Sequence, residues 1–337
     1  MFKVIIVGCG MVSDAWFDTI NKREDCEIIA LADVNTENAQ GKKEKFNLSS
    51  NIYTNLKDAL KNEKADVVID ITPPQYHFDT VTTALRAGCH VFGEKPMSDT
   101  LEQAEKMVAC ANETGNEYFV MQNRRYIPYI VALKNFVQEN YLGNVGQLCA
   151  NFQLDPRFGG FRDEMDSPLI ADMAIHTFDA ARFISGKNPV AVYCHEFNPS
   201  WSWYKGDASA VCIFEMEDGS VFDYRGSWCT HGIHTSWESE WRASCAKGSI
   251  FWDGEDKLYY DSGDKFDAKS GVLNPEKPGH ILPVDLAAEG HPGCITDMFD
   301  SLAKGIRPQT DCRDNIYSIK MVYKAIESSK TKKRLEI

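Results

Sequence analysis

Along the first 122 residues, short runs that are apolar throughout alternate with longer segments that are apolar on one side only. Phe2–Val7, broken only by Lys3, then Glu27–Ala32 and Asp66–Ile71 read as buried strands of a parallel sheet. His90–Phe92 and Glu117–Gln122 are shorter runs of the same kind. Between them, Ser13–Asn21, Thr36–Phe46, Tyr76–Ala87 and Thr100–Thr114 carry helical periodicity, and Gly88 and Gly115 stand where helices end. Repeated strand–helix units predict an α/β fold built on a doubly wound parallel sheet. After about Arg124 the pattern changes. Pro128–Asn140 reads as a helix, Gln147–Leu154 as a strand, and Ser167–Ile184 as a long helix ending at Gly186. Beyond it, Ala208–Met216 and Ser220–Ser227 flank Glu217-Asp218-Gly219, and Trp237–Ala246 and Ser249–Trp252 flank Lys247-Gly248. Such hairpins predict an antiparallel sheet. Asp261–Leu286, polar and rich in glycine and proline, reads as a surface loop, and two helices close the chain over Gly293–Lys304 and Cys312–Ser329.

Length and charge narrow this picture. A chain of 337 residues is long for one core, so two domains are expected, with the break between residues 122 and 123 and the closing helices able to pack back on the first domain. The formal net charge of -13 argues against nucleic acid or an anionic membrane as partner. Eleven scattered cysteines without a Cys-x-x-Cys pair fit neither a zinc nor a disulfide framework, which points to a reducing cytoplasm and no structural metal. The apolar start, Met1–Val12, is interrupted by Gly8 and Gly10 and reads as a first strand rather than a signal peptide.

Candidate chemistry sits at the strand ends. Gly8-Cys9-Gly10-Met11-Val12-Ser13 follows the first strand and opens a helix, the setting in which glycines let a pyrophosphate approach the backbone at a helix N-terminus. Ser13 stands where glycine or alanine is usual. Asp33, 23 residues after Gly10 and at the end of the second strand, is placed to accept from a ribose 2′-hydroxyl and to repel a 2′-phosphate, which favours NAD over NADP. It would serve equally as the cap of the next helix. Thr72-Pro73-Pro74 lies on the same carboxyl edge, either beneath a nicotinamide or as a rigid turn.

Glu94-Lys95-Pro96 follows another strand. A lysine there would polarise a hydroxyl and stabilise an alkoxide, or it belongs to a plain surface pair. An X-Pro bond can be cis, which would fix the lysine's direction. Asp172 and His176 are four residues apart and His176 and Asp179 three, on a helix whose other residues are apolar. A buried carboxylate beside an imidazole is either a satisfied core pair or a proton-transfer group. Asp155, Arg157 and Arg162 surround Gly159-Gly160 in a segment able to lie over a site. His231 and His234 read as pocket or surface residues. The tryptophans of the second half (Trp201, Trp203, Trp228, Trp237, Trp241) read as core or interface before sugar platform.

Together, VIIVGCGMVS (4–13), ITPPQYH (71–77), AGCHVFGEKP (87–96) and DMAIHTFDAARFISG (172–186) resemble the Gfo/Idh/MocA oxidoreductases, the glucose–fructose oxidoreductase and inositol dehydrogenase family, over essentially the whole chain. The resemblance implies an N-terminal Rossmann domain followed by an α/β domain with an open, mostly antiparallel sheet that makes the subunit interface. It makes Lys95 the lysine of the Glu-Lys-Pro motif, Asp172 the helix carboxylate and His176 the general acid/base. It places Glu94, His77, Gln122 and the backbone at Thr72, Pro73 and Pro74 at the cofactor, with Gly8, Gly10, Met11, Val12 and Asp33. Arg125 and Tyr126, where the chain leaves the first domain, would face substrate. The implied activity is NAD-dependent oxidation of a sugar- or polyol-like hydroxyl by a homo-oligomer. A cofactor-recycling glycoside-cleaving enzyme and a non-catalytic nucleotide sensor are the rival readings. Two stretches depart from the family pattern and bear on substrate: Ser167-Pro168-Leu169-Ile170-Ala171, where a glycine run is common, and Asp155–Met165.

Overall fold

The computed structural model describes residues 1–262 and 278–337, with the backbone of 266–267 and 272–273 between them. It divides into two compact units, residues 1–126 with 287–319 and residues 127–286 with 320–337. The expected break at 122/123 therefore falls at 126/127, and the second unit is not continuous, because residues 287–319 return to the first.

Unit 1 is a six-stranded parallel sheet of β1 (Phe2–Val7), β2 (Cys26–Ala32), β3 (Asn51–Tyr53), β4 (Val67–Asp70), β5 (His90–Gly93) and β6 (Tyr118–Val120). Their order, β3-β2-β1-β4-β5-β6, is that of a dinucleotide-binding Rossmann sheet. The helices between are α1 (Asp14–Ile20), α2 (Thr36–Lys45), α3 (Leu56–Asn62), α4 (Pro74–Arg86) and α5 (Leu101–Thr114). Local sequence fixes their ends. Asn35 caps α2 through Glu37 N (3.1 Å), Pro74 opens α4, and Thr100 caps α5 through Gln103 N (3.2 Å). β3, three residues, and α3, seven, are too short to show a clear period in the sequence. The chain returns here because α8 (Gly290–Lys304) supplies apolar residues that one sheet face lacks: Phe299 meets Phe92 edge-on at 4.8 Å, and Cys294, Ile295 and Met298 join the same buried cluster as Val4, Ile6 and Ile69.

Unit 2 carries α6 (Pro128–Gln138), β7 (Val145–Gln153), α7 (Ile175–Ser185), β8 (Pro189–Phe197), β9 (Ser209–Met216), β10 (Val221–Ser227), β11 (Glu240–Cys245), β12 (Gly248–Trp252) and β13 (Leu258–Ser262). Short strands β14 (Phe266–Asp267) and β15 (Val272–Leu273) pair with each other, while β16 (Gly279–His280) and β17 (Leu335–Glu336) close the two edges of the main sheet. The expected loop over 261–286 falls partly outside the described residues, and the parts that are described include these short strands. The nine-stranded sheet runs β16-β13-β12-β11-β7-β10-β9-β8-β17 and is antiparallel except where β10 lies parallel to β7. α7 packs on it through Phe178, whose ring meets Phe214 at 4.9 Å and Tyr224 at 5.2 Å, both edge-on. α9 (Cys312–Thr331) contributes its first residues to unit 1 and its last to unit 2.

Candidate active site

In unit 1 the carboxyl ends of β1, β2, β4 and β5 carry the predicted cofactor residues. Gly8 has φ +91°, and a Cβ there would lie 2.5 Å from the Ile71 carbonyl oxygen and 2.9 Å from Thr72 N. Only glycine fits. Gly10 is different: its φ is -72°, and a Cβ would meet nothing within 4 Å, so what it offers is open space beside the backbone. Met11 and Val12 are exposed next to it. Ser13 is buried and donates from its hydroxyl to Gly10 O at 2.6 Å, which closes the turn. Asp33 accepts from Cys9 N and from Asn35 N, both at 2.8 Å, and so ties the glycine turn to the end of β2. The helix cap considered for Asp33 is made by Asn35 instead. Lys42 and Lys45 are engaged by Asp14 at 2.5 and 3.0 Å, which holds its carboxyl below the usual range.

The next two turns are wired together. Asp70, fully buried at the end of β4, accepts at Oδ1 from Thr72 N (3.0 Å) and Thr72 Oγ1 (2.6 Å), and its Oδ2 has no hydrogen-bond partner. Glu94 is buried too. Its Oε1 accepts from Trp16 Nε1 at 2.7 Å, and its Oε2 faces Lys95 N at 3.3 Å. The Lys95–Pro96 bond is cis. His77 is buried with both ring nitrogens on backbone carbonyls, Thr72 O at 2.6 Å and Pro96 O at 2.9 Å, so its ring is spent on these turns. Gln122 is buried with neither carboxamide atom hydrogen-bonded. Arg125 and Tyr126, expected to face substrate, spend their polar ends inside unit 1: Arg125 donates to Gln309 O and to Asp314 Oδ2 (2.7 Å), and Tyr126 donates to Asp297 Oδ2 (2.6 Å). They anchor the returning segment. Trp16 and Asp70 are site-supporting residues that the sequence reading missed. The carboxylate inside an otherwise apolar strand was a signal for Asp70; nothing in the sequence linked Trp16 to a residue 78 positions away.

In unit 2 the segment expected as one long α-helix begins as a wider π-helical stretch, Leu169–Ala174, and becomes α-helical at Ile175. Asp172 lies on the wide turn and His176 on the first α turn. Such turns recur at functional sites. Asp172 accepts from Arg162 Nε at 2.6 Å, its side chain mostly buried, and the Arg162 guanidinium lies over the exposed rings of Phe161 (4.7 Å) and Phe158 (5.5 Å). Phe158 stacks in turn on the half-exposed Trp237 at 6.1 Å. Asp155 pairs with His234 Nε2 at 3.0 Å, and Arg157 lies over Trp203 at 4.1 Å. The 155–162 loop is thus a polar and aromatic cluster joined to Asp172. Asp179 is buried 3.9 Å from Arg182, which forks onto Asn188, and belongs to the helix end. Trp228 and Trp241 are core; Trp201 and Trp237 are exposed.

The first unit suits NAD on its own geometry: an open approach at Gly10, an acidic Asp33 and a buried, unpartnered carboxamide at Gln122. Comparison with known proteins agrees. A family model described as an oxidoreductase family with an NAD-binding Rossmann fold matches residues 2–122, and a GFO/IDH/MocA C-terminal domain model matches residues 130–251. The chain is 31% identical to an Escherichia coli D-glucoside 3-dehydrogenase over 58% of its own length and 57% of that protein's, and 25% identical to a Rhizobium meliloti inositol 2-dehydrogenase over 65% and 61%. These alignments span somewhat over half of each relative. An Agrobacterium radiobacter oxidoreductase, crystallised with NAD+, L-tartaric acid and magnesium, superposes with a TM-score of 0.86 at 19% identity, covering 99% of this chain and 98% of that one.

Proposed function

The chain belongs to the NAD-binding Gfo/Idh/MocA oxidoreductases, and we propose that within this family it oxidises or reduces a carbinol carbon of a sugar, polyol or sugar derivative. The observation that carries the reading is the wide helical turn of unit 2. It presents Asp172 to a loop whose arginine and aromatic rings suit a polyhydroxylated ring, with His176 one turn further along the same helix. The named relatives, which act on a glucoside and an inositol, support the same substrate class. Residues 1–126 with 287–319 hold the cofactor, and unit 2 holds substrate and partner subunits.

When bound, NAD supplies hydride acceptance or donation at its nicotinamide. Gly8, Gly10, Met11, Val12 and Asp33 would hold its pyrophosphate and ribose; Thr72, Pro73, Pro74, Glu94 and Gln122 would border the nicotinamide end. His176 takes the proton of the substrate hydroxyl, which an imidazole does near neutral pH. Lys95 of unit 1 would polarise a substrate oxygen and stabilise the charge that develops on it. Asp172, held by Arg162, orients the imidazole or a neighbouring hydroxyl. Asp155, Arg157 and Arg162 line the substrate side.

On the outer face of the large sheet, Tyr193 pairs with Ile213 and His195 with Val211, and with Phe197 they form an exposed apolar band suited to a second copy of the chain. Eleven unbridged thiols suit a reducing cytoplasm. The test is nicotinamide absorbance with NAD, and separately NADP, across polyols, aldoses, inositols and glycosides. Turnover of one class that is lost in Lys95→Ala and in His176→Ala, both still binding NAD, supports the assignment. Wild-type rates in either variant sink that residue's role. Tightly held NAD without any absorbance change sinks the dehydrogenase reading.

A further inference from the structure

His77 is a buried titratable group that the proposed reaction does not use, and its surroundings are unusual. It lies on the first turn of α4, enclosed by protein, with Nε2 2.6 Å from Thr72 O and Nδ1 2.9 Å from Pro96 O. Both partners are carbonyl oxygens, which only accept. A neutral imidazole has one N–H, so it satisfies one of them and turns a lone pair on the other. Two buried lone pairs at hydrogen-bond distance repel, and the carbonyl is left without a donor. A ring carrying a proton on each nitrogen satisfies both.

A buried cation needs a counter-charge. Asp70 supplies one. It is fully buried, and its Oδ1 accepts two bonds from Thr72, which favour the anion. Its carboxyl lies above the usual range, raised by burial first and also by Glu94, against the opposing pull of His77 and the two Thr72 donors. The remaining charge on these turns is Lys95.

We propose that His77 is a positioning residue, held doubly protonated with Asp70 as counter-ion, that locks the Thr72–Pro74 turn to the turn carrying Lys95. Pro96 is the neighbour of Lys95 in the chain, so the bond from Nδ1 fixes the backbone from which the lysine side chain leaves. The bond from Nε2 fixes the end of β4. Asp70, Thr72, His77 and Pro96 form one chain of contacts across the carboxyl ends of the adjacent strands β4 and β5. The effect on turnover rests on the role assigned to Lys95; the charge state of the ring does not.

The test uses the full chain labelled with 15N-histidine, with His77→Gln identifying the His77 signals. The expected result is two ring N–H protons on His77 at neutral pH, with both nitrogens at the shifts of a protonated imidazole. In Asp70→Asn one of the two signals should disappear while the amide spectrum of the large sheet is unchanged, a change that simple packing would not produce. One unprotonated ring nitrogen in the wild type, or two N–H signals surviving in Asp70→Asn, overturns the proposal. In kinetics, His77→Gln and Asp70→Asn should each lower kcat about tenfold with the substrate KM within about twofold of wild type, as expected when a group aligned in the transition state is displaced. A doubly protonated ring with undiminished kcat in both variants refutes positioning while leaving the dehydrogenase assignment intact. Loss of all activity on every substrate in the wild type itself refutes that assignment, and the NMR result still decides the charge state.

Discussion

The two glycines of the first turn are expected to fail in opposite ways when each is replaced by alanine. At Gly8 the backbone has φ +91°, where an L-residue costs about 1–2 kcal/mol. The new Cβ would also lie 2.5 Å from Ile71 O, 2.7 Å from Ile71 C and 2.9 Å from Thr72 N, all backbone. Those atoms are held by Gly8 N on Ala32 O (2.9 Å) and Ile71 N on Val7 O (2.8 Å), so they cannot withdraw cheaply. Overpacking of this kind adds about 1–3 kcal/mol. The total, roughly 2–5 kcal/mol, lowers Tm by roughly 5–15 °C in a chain region of this size. At Gly10 the φ of -72° suits alanine and the Cβ meets nothing, so the apo protein should melt within about 2 °C of wild type. That methyl group nevertheless fills the space through which a pyrophosphate would reach the backbone, and NAD affinity should fall at least about tenfold, or ~1.4 kcal/mol. Thermal melts without ligand, with calorimetric titration of NAD, separate the two effects. Unchanged NAD affinity in Gly10→Ala would refute the placement of the pyrophosphate, and an unshifted Tm in Gly8→Ala would refute the steric argument.

Further expectations concern single contacts. Trp16→Phe removes the donor to Glu94 Oε1 in a buried setting; a charge-assisted bond of about 1.5–3 kcal/mol and the cavity left by the smaller ring together predict about 3–5 kcal/mol in denaturant unfolding, and a loss under ~1 kcal/mol would contradict it. Arg162→Ala frees Asp172 from its 2.6 Å partner and should cost about tenfold in kcat/KM without weakening NAD binding, whereas an unchanged kcat/KM would remove Asp172 orientation from the mechanism. Burial pushes the Glu196 carboxyl from its ordinary 4.5 up to about 7. The folded chain therefore holds a proton there that the unfolded chain releases, so stability contributed by the group is complete below pH 4.5 and is lost as pH rises to 7, a difference of ~3 kcal/mol. In Glu196→Gln that part of the fall should vanish, and equal slopes between pH 4.5 and 7 in both proteins would show that Glu196 is not its source.

The sequence alone determined what depends on neighbours in the chain. Apolar runs between capped helices gave a doubly wound parallel sheet, because parallel strands buried on both faces leave no polar alternation, while the order of its strands came from the fold. The Gly8–Ser13 turn, Asp33, Lys95, Asp172 and His176 stood out as candidates because each sits in a short stretch of sequence that, taken together with the others, resembles one family. The tertiary structure decided what depends on partners far away. Residues 287–319 return to the first unit because one face of its sheet needs Phe299 and its neighbours. Arg125 and Tyr126, read as substrate groups, are claimed by Gln309, Asp314 and Asp297 nearly two hundred positions on. The helix carrying Asp172 and His176 opens as a wide turn that residue spacing does not encode. Whether a buried polar group is a ligand, an anchor or a clamp is set by which donors and acceptors fold around it: Glu94 shares the motif of Lys95 and His77 stands in the motif before it, yet the fold spends one on Trp16 and the other on two carbonyls.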